Sequence, residues 1–163
     1  MIEAVLKVLI RDLDTVIREI ELYPSDAAPW TELPGLSNAG GTLALHLAGN
    51  LQHFLGATLG GTGYVRDRDL EFSRRGVPRA ELVAELRRAS EAVRTTLAGL
   101  DPARLRLPYP LPIQGQTVTT ELFLIHLCAH LAYHLGQLDG HRRLAGQAGS
   151  AGAQSMAELL TGN

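Results

Sequence analysis

The chain has 163 residues, a formal net charge of −2, a pI near 6.3 and one cysteine, Cys128. That length supports one ordinary domain with a proper core, and the charge balance leaves no electrostatic footprint for nucleic acid. A lone cysteine excludes an intrachain disulfide, and no apolar run approaches the roughly 18 residues that span a bilayer, so a soluble, cytoplasmic protein without nucleic-acid or membrane partners is expected.

The first residues, Met1-Ile-Glu-Ala-Val-Leu-Lys-Val, lack the basic-then-apolar order of a signal peptide. Across 2–22, Ile2, Val5, Leu6, Leu9, Leu13, Val16, Ile17 and Ile20 recur at intervals that predict an amphipathic helix. Tyr23-Pro24 ends it, and Pro24, Pro29, Pro34 and Gly35 mark a loop in which Trp30 reads as an anchor on the bundle. A second helix starts near Ser37 or Asn38 as N-cap and runs to about Leu59, before Gly60-Gly61. Its apolar stripe is Leu43, Leu47, Leu51 and Leu55, with His46, Asn50 and His53 on a neighbouring polar stripe.

Residues 60–77 read as a charged loop, and Arg66, Arg68, Arg74, Arg75 and Arg79 as a solvated loop and helix start. Pro78 suits the first position of a third helix, whose seam is Leu82, Leu86, Val93, Leu97 and Leu100. The stretch 105–118, with Pro108, Pro110, Pro112 and Gly115, has room for a short extended pair but not for a sheet. Thr119 or Thr120 caps a fourth long helix ending near Leu144. The Gly/Ala/Ser-rich tail, 147–163, is expected to be flexible, with one helical turn at 156–160. The pattern predicts an all-α four-helix bundle over 1–146 with a long crossover connection.

The chemistry concentrates in the histidines. His126, His130 and His134 stand at i, i+4 and i+8, one above another on a helix face, and His141 returns to that face seven residues later. A buried neutral imidazole needs partners for its nitrogens, so a column of three on an inward face points to a metal ion. His126 and His134 stand about 12 Å apart along the axis, too far for one ion to take all three. Spacing alone allows either His126 with His130 or His130 with His134, and His46 and His53 compete for the third place. His141 also suits a helix C-terminus, where positive charge is favoured. Cys128, turned about 200° from His126, reads as a small buried apolar residue. Leu131 stands where a zincin-type metalloprotease carries its glutamate, which argues against that route.

The strings His46-Leu-Ala-Gly-Asn50 and His130-Leu-Ala-Tyr-His134-Leu-Gly-Gln137 resemble the DinB-like superfamily, the metal-binding bundle proteins that include the YfiT-type hydrolases. The resemblance covers essentially the whole chain. It implies a four-helix bundle in up-down-down-up order, often a homodimer, with one metal ligand from the second helix and two from the fourth. Carried onto this chain, those ligands are His46, His130 and His134. His126, Gln137 and His53 become candidates for the surrounding shell; His53 has no clear family counterpart and ranks below His46 as a ligand. The cofactor implied is a divalent ion, zinc or nickel first.

The resemblance further implies an enzyme acting on a small molecule. The ion would activate a low-molecular-weight thiol for S-transfer, or a water for hydrolysis. No obvious adjacent base is present, which tilts the choice toward the thiol. Glu32, Asp67, Tyr133 and Gln137 are possible helpers with no assigned catalytic role. The alternatives are a non-catalytic metal-binding stress-response bundle and a metal-free polar histidine core.

Overall fold

The computed structural model describes residues 1–146, 151 and 156–161. The predicted tail lies largely outside them; within it, α6 spans Met156–Thr161. Among the described residues the chain is helical, with only isolated bridges at Pro108–Thr119 and Ile113–Gln116. No helix among them is long and apolar enough to cross a membrane.

Helix α1, Ile2–Glu21, buries Val5, Leu9, Leu13, Val16 and Ile20 along one stripe, as its spacing requires. Helix α2, Gly40–Leu51, starts later than its sequence suggests. Its N-cap is Ala39, with no side-chain cap bond, in place of Ser37 or Asn38. The first turn packs closely: a Cβ on Gly40 would sit 2.3 Å from the Tyr23 hydroxyl, and one on Gly41 2.6 Å from the Trp30 ring. Trp30 is thereby an anchor, and its indole N–H donates to the Val77 carbonyl at 3.1 Å. All 12 residues of α2 are buried, so it runs through the centre of the bundle. It continues as a π-helical turn over Gln52–Ala57.

The stretch expected to be a charged loop contains a helix. Helix α3, Arg68–Ser73, is capped by Asp67, whose carboxylate accepts from the Leu70 N–H at 2.9 Å. At 6 residues it is too short to show hydrophobic periodicity. Helix α4, Arg79–Ala98, has Pro78 as N-cap, one residue before the expected position, and buries Leu82, Leu86, Val93 and Leu97. Helix α5, Thr120–Leu144, opens with the Thr119 hydroxyl accepting from the Leu122 N–H at 3.2 Å.

Side-chain pairs give the helices their relative directions. Arg79, at the start of α4, donates to the Tyr23 carbonyl just beyond α1, so these two run antiparallel. Glu19 and Arg142 pair near the ends of α1 and α5, which therefore run parallel. Gln52 meets Glu85, and Leu55 meets Thr96, so α2 and α4 are parallel. The Phe54 and Phe123 rings, 5.1 Å apart, join the end of the α2 segment to the start of α5. Opposed in this way, α2 and α5 bring their histidines to one level.

Candidate metal centre

His46 enters from the buried α2, and His130 and His134 from successive turns of α5. The three can each offer one nitrogen, all within 4.8 Å of one another, a group that could hold a metal ion. His46 Nε2 and His130 Nε2 are 3.3 Å apart. Two nitrogens sharing a tetrahedral zinc at about 2.0–2.1 Å each are about 3.4 Å apart, so this pair already stands at ligand spacing. His46 is 6% exposed, while His130 and His134 are half-buried.

The outer nitrogens are also held. His46 Nδ1 lies 3.0 Å from Glu71 Oε2, and His134 Nδ1 lies 2.7 Å from Gln137 Oε1. Gln137 in turn donates to the Tyr133 hydroxyl at 3.1 Å. These contacts take up the Nδ1 atoms of both rings. Burial, then the neighbouring His134 and His46, pushes His130 down to about 4, so its ring is neutral and able to ligate near pH 7. Burial also lowers His134, with Gln137 working against the shift and His46 adding to it.

Glu71 is the functional residue that the sequence pattern did not reveal. Burial alone would raise its pKa, but hydrogen bonds from Arg66 and His46 and their charges outweigh it, and the carboxyl sits below the usual range. Arg66 grips both oxygens, Nε to Oε1 at 2.6 Å and Nη2 to Oε2 at 2.7 Å. Arg66 is thus not a solvated loop arginine: its side chain is only 11% exposed and lies 5.6 Å over the Phe54 ring. Room for the carboxylate comes from Gly49, a glycine in the middle of α2. A Cβ there would meet Glu71 Oε1 at 2.1 Å. Glu71 also lines a cavity of about 200 Å3 with Leu45, Tyr64, Arg74 and Glu85.

The remaining histidines separate from the group. His126 is exposed and stacks on Phe123, its ring 5.9 Å from that of His130. His53 lies against Phe54, with ring centroids 4.8 Å apart. His141 shares the α5 column, yet it is wholly buried elsewhere, between the Tyr23 hydroxyl at 2.6 Å and the Thr31 carbonyl at 2.9 Å. With both nitrogens satisfied it is a core residue outside the histidine group. Among the sequence-predicted helpers, Asp67 caps α3, while Glu32 and Tyr133 are exposed. The Cys128 thiol is pushed up to about 11 by burial, as befits an inert side chain.

Comparison with known proteins adds the family. The family model described as DinB superfamily matches residues 9–138. No curated protein matches the chain. The crystal structure of a DinB-like protein from Bacillus cereus ATCC 10987 aligns with a TM-score of 0.69 at 16% identity, covering 88% of this chain and 91% of that one. At that identity the likeness speaks to fold alone.

Proposed function

Because the chain belongs to the DinB superfamily, we propose that His46, His130 and His134 hold a divalent ion, zinc or nickel, and that the site performs metal-dependent chemistry on a small molecule. The observation that supports this most directly is the convergence of three imidazoles from two helices within 4.8 Å. When bound there, the ion would supply Lewis acidity that lowers the pKa of a thiol or a water.

The chain's own residues do the rest. Three neutral imidazoles bring no negative charge to the centre, leaving the cation's field undiminished. Glu71 and Gln137 hold the rings of His46 and His134 from behind. Glu71 is engaged by Arg66 and His46 and so is not free to take a substrate proton. This favours S-transfer from a low-molecular-weight thiol over hydrolysis, since the thiol route needs less proton transfer. The same reading takes a homodimer as the working unit and the cytoplasm as its location.

Metal analysis of protein purified without a histidine tag tests the centre. One ion per chain in the wild type and none in His130→Ala is expected. A stoichiometric ion retained by His130→Ala would sink the assignment. A chromogenic electrophile offered with and without small thiols then tests the reaction; thiol-independent turnover would overturn the transferase reading.

A further inference from the structure

We propose that Glu71 is the positioning residue for His46: its carboxylate, clamped by Arg66 and admitted by the absent side chain of Gly49, fixes the imidazole as the Nδ1–H tautomer, with Nε2 turned to His130 and His134. This rests on the reading that the three histidines hold a divalent ion.

The tautomer follows from competition at one atom. Two groups approach His46 Nδ1: Glu71 Oε2 at 3.0 Å and Arg66 Nη2 at 3.4 Å. A guanidinium nitrogen can only donate, and a carboxylate oxygen can only accept. Arg66 Nη2 already has a better acceptor in Glu71 Oε2, at 2.7 Å. The shorter contact therefore belongs to Nδ1–H donating to Glu71. That leaves the lone pair on Nε2, the atom that stands 3.3 Å from His130 Nε2.

The carboxylate is itself immobilised. It is buried, at 6% exposure, where an unpaired charge would be costly. Arg66 removes that cost with a two-pronged grip and rests on Phe54. Phe54 is steadied by its carbonyl, which accepts from the Tyr109 hydroxyl at 2.6 Å. On the other side, Gly49 stands three residues after His46 on the same helix face. A methyl group there would lie 2.1 Å from Oε1 and 2.8 Å from Cδ of Glu71, so the carboxylate and a side chain at 49 exclude each other. Partners of this kind behind a metal-bound histidine typically change metal affinity roughly 10–100-fold.

The test uses the untagged full chain and cobalt(II) as probe, with visible absorption and chelator competition as readouts. Glu71→Gln keeps the shape and removes the charge; Gly49→Ala keeps the glutamate and displaces it. Each should bind cobalt roughly 10–100-fold more weakly than wild type. Each should also show an altered cobalt band, which a loss of general stability would not produce. Wild-type affinity and spectrum in both variants would overturn this inference while leaving the metal reading intact. Failure of the wild type itself to bind cobalt would overturn both. Should neither variant fold, nitrogen-15 NMR of the metal-free wild type decides, with His46 identified by signal loss in His46→Gln. An Nδ1–H ring supports the proposal, and an Nε2–H ring overturns it.

Discussion

Glu19 and Arg142 form an ion pair between α1 and α5 with side-chain exposures of 3% and 0%. Arg142 also reaches Asp139 at 3.4 Å. The pair ties the ends of the two helices together, at a level beyond the histidine group. Breaking one side of it leaves a buried charge without its partner. Arg142→Met should therefore destabilise the chain by about 3–5 kcal/mol in urea unfolding. Replacing both residues, in Glu19→Leu with Arg142→Met, should recover most of that loss, because the apolar pair leaves no orphaned charge. A double variant no more stable than the single one would contradict this account.

Gly49→Ala should also cost stability, although alanine is the better helix former. Helix propensity alone predicts a gain of about 0.5–1 kcal/mol. The close approach of Glu71 reverses the sign, since the carboxylate must leave Arg66 or the helix must shift. A lowered urea midpoint in the metal-free variant is expected. A raised midpoint would show that Glu71 moves aside freely.

The six histidines should divide by function. Zinc or nickel should raise the melting temperature of wild type, by the equivalent of about 2.7 kcal/mol when free metal is 100 times its Kd. His134→Ala should abolish the rise. Gln137→Leu, which frees His134 Nδ1, should weaken binding roughly tenfold. His53→Ala should leave it unchanged, because that ring lies against Phe54 outside the group. Metal titration followed by scanning fluorimetry checks all four; a lost response in His53→Ala would redraw the site.

Cys128 should resist alkylation at neutral pH. Its thiol titrates near 11, against an ordinary value of 9, because burial disfavours the thiolate. A raised folded pKa means the native chain holds the proton more tightly than the unfolded one. The stabilisation is full below about pH 9 and is lost as pH rises toward 11. Iodoacetamide labelling should be slow at pH 8 in the native protein and fast in urea. Rapid native labelling at pH 8 would refute the assignment.

The helices were legible where burial imposes a period. Val5, Leu9, Leu13, Val16 and Ile20 announce α1, and Thr119 announces the start of α5. His130 and His134 were legible as a chelating spacing, but so were His126 and His130; the family string separated them, and the structure groups the former pair with His46. Glu71 was not legible, because its contact with His46 spans 25 positions and its helix is too short for a pattern. His141 shows the opposite failure. Its spacing from His134 is helical, yet the column runs past the centre into the packing of Tyr23 and Thr31. Periodicity along a helix records which way a side chain faces, not what stands opposite.

The π-helical turn over Gln52–Ala57 carries a consequence for alignment. Such a turn is an α-helix with one surplus residue. Losing a residue between His46 and Phe54 would rotate the Phe54 side chain by about 100° and carry it away from the Arg66 guanidinium it supports. The count of residues between His46 and Phe54 is therefore part of the inheritance of this site, alongside their identities. A relative that keeps every histidine but has lost one position in this interval should have also lost its grip on the acid behind the first of them.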